Sequence, residues 1–160
     1  MASSLSRRLA GITATGATVL ALIAVPVDHA NSADAPSTLT LLNINDFHGR
    51  ISPSIAMGLA NTVQTERAAA SGDSMLLSAG DNVGASLYAS SVQKDKPTID
   101  FLNALGLQAT AVGNHEFDAG WDDLMNRIVP SSNYSQLGAN VLTLDGAPAL
   151  DPYYTYTTAE

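Results

Sequence analysis

Apolar and polar positions alternate in blocks along the chain, and these blocks predict strands and helices in regular succession. Residues 38–45, which read TLTLLNIN, form an apolar and β-favouring run that predicts a buried strand. Residues 54–70 instead carry apolar side chains near helical spacing, with polar side chains between them, which predicts an amphipathic helix. The same reasoning predicts further strands at 74–80, 108–112 and 136–144, and further helices at 97–105 and 121–129.

The helix predicted at 97–105 has sequence signals at both ends. Pro97 suits a first helical turn, because the N–H that proline lacks has no partner there. Gly106 suits the position after the last turn, where a left-handed backbone is common. The whole pattern is β-α-β-α-β-α-β, which predicts an α/β layered domain with largely parallel strands.

Residues 1–35 have a different pattern, which predicts a signal peptide and a linker. Arg7 and Arg8 precede an uncharged, largely apolar stretch at 9–27, and this layout is typical of a secretory signal. An uncleaved membrane anchor is the alternative, since the stretch is just long enough to span a bilayer. Its Thr and Gly content and Pro26 favour cleavage. We therefore expect an exported protein, secreted, periplasmic or associated with the cell wall, without a stable transmembrane segment after cleavage.

The charge of the remaining chain limits its partners. From Asp34 onward there are five Lys and Arg against 14 Asp and Glu, a net charge of −9. Duplex nucleic acid is an unsuitable partner, because no basic surface is available to displace its counterions. An anionic substrate would need a metal ion to neutralise it. The chain has no cysteine, so any metal must bind to oxygen and imidazole ligands.

Three predicted strands end in residue types that bind metals. Asp46 and His48 follow the first strand, Asp81 follows the second, and Asn114 and His115 follow the third. Each group alone is a weak signal, because polar residues are common in turns. In parallel α/β folds, however, sites gather at the carboxyl ends of strands. The joint occurrence therefore predicts a metal-dependent site at one edge of the sheet.

The residues of these loops resemble a known family. The segments NINDFHGR, GDNVGAS and GNHEFDAG are similar to the first three motifs of the calcineurin-like metallophosphoesterases. They look most like the exported 5'-nucleotidase branch, which includes UDP-sugar hydrolases and 2',3'-cyclic phosphodiesterases. The resemblance runs from about residue 39 to about residue 144. It implies a layered α/β/β/α sandwich, of which residues 36–160 would be the N-terminal part of the catalytic domain.

The resemblance implies a site for two divalent metal ions, such as Mn, Zn, Mg or Co. Asp46 and His48 would bind one ion, and Asn114 would bind the second. Asp81 would bridge both ions, since a carboxylate between two cations offsets their repulsion.

The same resemblance implies hydrolysis of nucleotide 5'-phosphate monoesters by in-line attack of a metal-bound hydroxide. Asn114 and His115 would bind the substrate phosphate. His115 would also protonate the leaving oxygen, with Asp118 as its hydrogen-bonded orienting partner. Glu116, the other carboxylate of the motif, receives no catalytic role.

The family pattern also requires histidines that this sequence does not contain. The chain has three, His29, His48 and His115, whereas the family's later Gly-His and His-rich motifs add further ligands. We therefore expect an N-terminal fragment that is itself inactive and lacks the nucleoside-binding domain. Two alternatives stay open: a non-catalytic exported binding module on the same fold, and a metallo-hydrolase for a cyclic nucleotide or a nucleotide sugar.

Overall fold

The computed structural model describes residues 38–158, in which four parallel strands form one sheet in the order β1-β2-β3-β4. The signal peptide and linker predicted at 1–35, with His29, lie outside the described residues. The order places the carboxyl ends of neighbouring strands side by side at one edge. The strands are β1 at Leu39–Ile44, β2 at Asp73–Ser78, β3 at Ala109–Ala111 and β4 at Ser135–Leu137.

Helices connect and flank these strands, and they confirm the α/β fold class. The arrangement is consistent with the N-terminal part of a metallophosphoesterase sandwich. The helices are α1 at Pro53–Ala69, α2 at Tyr88–Ser91, α3 at Lys96–Leu105, α4 at Trp121–Asp123 and α5 at Val129–Ser131. A 3₁₀ turn lies at His115–Phe117, and a π-helical segment at Leu124–Ile128 joins α4 to α5.

Helix α3 shows why the sequence folds as predicted here. Ile99, Leu102 and Leu105 are buried along one side of the helix, which gives it a clear apolar stripe. Gly106 ends the helix with a left-handed backbone, φ 71°, as predicted. Arg67 of α1 then donates hydrogen bonds to the carbonyl oxygens of Leu105 and Gly106, at 2.7 and 3.0 Å. These bonds attach α1 to the end of α3.

The buried apolar side chains form two clusters. The first joins α1, α3 and the first two strands, and the second lies around Ile99 of α3 and Leu124 of the π-helical segment. The first contains Phe47, Val63, Leu76, Leu102, Leu105, Leu107 and Tyr134, and the second contains Val83, Ile99, Leu124, Ile128 and Leu150.

The prediction that the first strand is buried is wrong for one of its faces. Leu42 and Ile44 pack against the first cluster, whereas Leu39 and Leu41 are 37% and 60% exposed. Leu39 and Leu41 lie on the face of β1 opposite the first cluster, and β1 is an edge strand with a single neighbour, β2, in the described part. Its apolar composition did not distinguish an edge strand from a central one.

The strand predicted at 136–144 is much shorter than expected. Regular pairing ends at Leu137, and the Val141 N–H then donates to the Gly138 carbonyl oxygen at 3.0 Å, which turns the chain. The helix predicted at 121–129 is present, but it contains the π-helical segment and extends to Ser131. Helix α2 was not predicted.

The described residues include no helix that is both apolar enough and long enough to cross a bilayer.

The first cluster should account for much of the stability of the fold. Leu102 is fully buried and Leu41 is 60% exposed, so the two leucines form a matched pair. We expect Leu102→Ala to lower the free energy of unfolding by about 2–5 kcal/mol because it leaves a cavity. Leu41→Ala should change it by less than about 0.5 kcal/mol. Urea unfolding followed by circular dichroism measures both, and equal losses would contradict this assignment of the core.

Candidate active site

The loops that follow β1 and β2 lie side by side and bond through their backbones. The N–H of Asp46 donates to the Gly80 carbonyl oxygen at 3.2 Å, and that of His48 donates to the Asp81 carbonyl oxygen at 3.0 Å. A third bond joins the N–H of Gly49 to the next carbonyl oxygen of the second loop at 2.9 Å. The pairing of the two strands therefore continues into the predicted metal ligands and fixes their spacing.

The loop that follows β3 reaches the same place from the other side. Its His115 backbone N–H donates to Oδ1 of Asp81 at 3.0 Å. Gly113 approaches so closely that a Cβ atom there would lie 2.1 Å from Asp81 Oδ1. Only glycine fits at this position without a shift, because real Cβ atoms do not approach oxygen so closely. Asp81 therefore lies between the two other loops.

Three of the predicted metal ligands have a left-handed backbone. The φ angles are 51° for Asp46, 45° for His48 and 52° for Asp81. Such a conformation costs about 1–2 kcal/mol for a residue with a Cβ atom, although Asp tolerates it better than most. Strained backbone of this kind concentrates at functional sites. Its occurrence at three predicted ligands after two neighbouring strands, β1 and β2, supports a site at this edge.

The side chains of three residues converge closely enough to hold a metal ion. His48, Asp81 and His115 each offer a ligand atom, and these atoms all lie within 4.8 Å of one another. Asp46 is adjacent, with its Oδ1 3.7 Å from Nε2 of His48. Imidazole and carboxylate ligands suit divalent ions such as Zn²⁺ and Mn²⁺. The residues present therefore fit the metal chemistry that the sequence predicted.

His48 is held with one ring nitrogen toward this group. Its Nδ1 lies 3.0 Å from the Gly84 carbonyl oxygen and donates to it, which leaves Nε2 as the ligand atom. The N–H of Gly84 in turn donates to Oδ2 of Asp95 at 3.1 Å. Asp95 is 9% exposed, and its other oxygen accepts a hydrogen bond from the Ser90 hydroxyl at 2.7 Å. Asp95 thus holds the peptide that orients His48.

His115 makes the contact with Asp118 that its predicted role requires. Nδ1 of His115 lies 2.9 Å from Oδ2 of Asp118. The hydrogen bond to Asp118 raises the pKa of His115 above its usual value, and the charges of Asp118, Asp81 and Glu116 act in the same direction, while burial opposes them. The ring meets that of His48 edge to face, with centroids 4.8 Å apart.

Asn114 lies directly before the 3₁₀ turn at His115–Phe117. Its side chain is exposed, and its backbone carbonyl oxygen accepts the N–H of Phe117 at 3.1 Å. The structure thus places all six predicted site residues on three adjacent loops. Their individual roles in binding and catalysis stay predictions.

Sequence reasoning missed the buried polar residues beneath the site. Glu116 is 1% exposed, and its carboxylate accepts hydrogen bonds from three backbone N–H groups. Asn82 is also 1% exposed, and its amide links the ends of β2 and β3 by accepting from Ser78 and donating to Thr110, at 2.7 and 2.8 Å. Both residues lie within the motif segments GDNVGAS and GNHEFDAG, but nothing in the sequence assigned either a role. Asp95, Asn82 and Glu116 stabilise the loops of the site through buried hydrogen bonds.

A cavity of about 270 Å³ opens beside His115 and Asp118. Arg127 lines it but is already paired, since Nε and Nη2 donate to the two oxygens of Asp123 at 2.6 and 2.5 Å. Its Nη1 donates to the Lys94 carbonyl oxygen at 2.6 Å. Three of the five N–H donors of Arg127 are therefore used within the protein, and its charge is paired with Asp123.

Comparison with curated proteins finds relatives named 5'-nucleotidase and endonuclease. The chain is 32% identical over 147 residues to a 5'-nucleotidase of Vibrio vulnificus, covering 86% of this chain and 26% of that protein. It is 34% identical over 124 residues to a 5'-nucleotidase of Bos taurus, covering 68% and 21%. It is 32% identical over 102 residues to endonuclease YhcR of Bacillus subtilis, covering 54% and 8%. No family model matches the chain.

These relatives and the site together support membership of the chain in the metallophosphoesterase superfamily, as the sequence motifs predicted. The chain spans about a quarter of the length of these 5'-nucleotidases and 8% of the endonuclease.

The close approach of Gly113 to Asp81 gives a direct test of the loop packing. We expect Gly113→Ala to lower the free energy of unfolding in metal-free buffer by about 1–3 kcal/mol, because the new methyl group displaces the Asp81 side chain. Gly58 is the control, since a Cβ atom there meets nothing within 4 Å. Gly58→Ala in the middle of α1 should raise stability by about 0.5–1 kcal/mol. Urea unfolding of both variants checks this, and an unchanged Gly113→Ala protein would refute the packing.

Proposed function

We propose that this chain supplies metal ligands and the acid of a phosphoesterase that hydrolyses nucleotide 5'-phosphate monoesters. The observation that carries the proposal is the convergence of His48, Asp81 and His115 within 4.8 Å, with Asp118 bonded to His115. Relatives named 5'-nucleotidase support a hydrolase of phosphoric esters. The nucleotide substrate is proposed from those relatives' names.

The proposed site holds two divalent ions, of the kind Mn, Zn, Mg or Co. Asp46 and His48 would hold one ion and Asn114 the other, with Asp81 available to both. Asp81 suits the shared position because its loop lies between the loops that carry the other ligands. When bound, the ions neutralise phosphoryl oxygens and activate a water nucleophile. Asn114 contributes an amide oxygen without adding negative charge.

His115 binds the substrate phosphate together with Asn114 and gives a proton to the leaving nucleoside oxygen. Because Nδ1 is bonded to Asp118, the proton leaves from Nε2. Asp118 fixes the ring orientation and stabilises the imidazolium form that can donate. Attack in line with the leaving oxygen requires this proton on the side opposite the nucleophile.

A phosphodiester substrate is the second candidate, because one relative is named an endonuclease. The net charge of −9 from Asp34 onward disfavours a long duplex, whose binding requires basic side chains. Small diesters such as a 2',3'-cyclic nucleotide, and nucleotide sugars, carry less charge and remain reasonable competitors of AMP.

We also propose that residues 36–160 contribute part of a catalytic domain and that residues 1–35 direct its export. The support for export is the sequence pattern of Arg7 and Arg8 followed by the uncharged stretch at 9–27.

Binding of the substrate can be tested residue by residue. With Mg²⁺ present, AMP should shift the backbone amide signals of Asn114 and His115 in ¹H–¹⁵N NMR spectra, whereas adenosine should not, because the phosphate is the group recognised. Asp81→Asn should abolish the shifts by removing the shared ligand. Asp100→Asn is the matched control, since Asp100 is exposed and paired with Lys96 in α3. Shifts that persist without Mg²⁺ would favour a non-catalytic binding module instead.

Turnover by the 160-residue chain should be undetectable with AMP, 2',3'-cyclic AMP or UDP-glucose and Mn²⁺. The reason is ligand number, because Asp46, His48, Asp81 and Asn114 alone would hold two ions loosely and leave most coordination positions to water. Release of phosphate that Asp81→Ala abolishes would contradict this expectation of inactivity.

A further inference from the structure

Glu116 is a buried carboxylate that the proposed chemistry does not use. Its side chain is 1% exposed, and it lies in the 3₁₀ turn between His115 and Phe117. In the described part of the chain, none of the ion pairs includes Glu116. A buried charge without a basic partner is costly unless hydrogen bonds stabilise it. Its contacts therefore show what it does in the fold.

The carboxylate of Glu116 bonds two loops to each other. Oε2 accepts the N–H of Gly113 at 2.6 Å and the N–H of Asp81 at 3.1 Å. Oε1 accepts the N–H of Asn82 at 2.8 Å. Gly113 belongs to the loop after β3, and the other two residues belong to the loop after β2. Without this acceptor, the buried N–H of Asn82 and the part-buried N–H groups of Asp81 and Gly113 would lose their partner.

We propose that Glu116 is a positioning residue of the metal site, whose carboxylate sets where the Asp81 side chain lies. This inference rests on the proposed function, because it takes Asp81 to be the shared metal ligand. The Glu116 carboxylate accepts the backbone N–H of Asp81, and the backbone N–H of the adjacent His115 donates to Oδ1 of Asp81 at 3.0 Å. One short segment, residues 113–116, thus fixes both the backbone and the side chain of the ligand.

A second effect is electrostatic. The negative charge of Glu116 lies in the interior directly behind the ligand loop, where water screens it less than at the surface. It therefore adds to the attraction that the exposed carboxylates exert on a cation. Glutamine at this position would keep the shape but lose the charge and at least one of the hydrogen bonds, because its NH₂ group is a donor and would face a backbone N–H group.

The test compares Mn²⁺ binding by the full chain with and without this carboxylate, measured from the free Mn²⁺ signal in electron paramagnetic resonance spectra and without substrate. We expect Glu116→Gln to weaken Mn²⁺ binding by about 10–100-fold, as for other residues that orient metal ligands. Glu66→Gln is the matched control, because Glu66 is exposed on α1, and it should bind Mn²⁺ like the unaltered chain. A merely structural role would lower the unfolding temperature of Glu116→Gln but leave Mn²⁺ affinity unchanged.

The outcomes separate this inference from the proposed function. Equal Mn²⁺ affinity in the unaltered chain and in folded Glu116→Gln would overturn the positioning role alone. Failure of the unaltered chain to bind Mn²⁺ would overturn the metal site and the positioning role together.

A further measurement on the unaltered chain applies if Glu116→Gln does not fold. The amide protons of Asp81, Asn82 and Gly113 should exchange slowly with solvent and resonate downfield, because they bond to a charged acceptor. Fast exchange at these three amides would overturn the proposal.

Discussion

The candidate site depends on the backbone of residues 80–82, which bonds to the loops on both of its sides. The sheet order makes this necessary, because β2 lies between β1 and β3 and its carboxyl end must meet both neighbours. Toward β1 the contacts are backbone hydrogen bonds that continue the strand pairing. Toward β3 they run through the Asp81 carboxylate and through Glu116. A shift of this loop would therefore move the predicted ligands on both sides at once.

Two buried carboxylates accept hydrogen bonds from the backbone of the loop that follows β2. Glu116 binds the N–H groups of Asp81 and Asn82, and Asp95 binds the N–H of Gly84, whose carbonyl oxygen orients His48. Both place negative charge near a site already rich in acidic groups. A bound cation would offset that repulsion, so metal binding and the stability of the loops should be linked. The acidic composition of the chain is consistent with this linkage, since acidic residues near the site would attract a cation.

The sequence predicts some helices and strands more accurately than others, and it predicts the site residues only in part. Helix α3 was predicted nearly to the residue, because its apolar stripe, Pro97 and Gly106 are local signals. The exposed face of β1 and the early end of β4 were not predicted, because both depend on which other segments pack against these strands. The predicted ligands were located because they follow strands directly. Glu116 and Asp95 were missed, since a loop carboxylate has the same sequence signal whether it is solvated or buried.

The left-handed backbone at Asp46, His48 and Asp81 connects these observations. A strand carries alternate side chains to opposite faces. In the register that pairs Ile44 with Ser78, strands that simply continued would therefore place Asp81 on the face opposite Asp46 and His48. A left-handed residue just after the strand turns the chain and brings side chains from neighbouring loops to one point. Such residues are strained in isolation, but the hydrogen bonds between the loops over-determine their conformation. The hydrogen bonds that hold the loops together therefore also stabilise the left-handed conformations on which the ligand geometry depends.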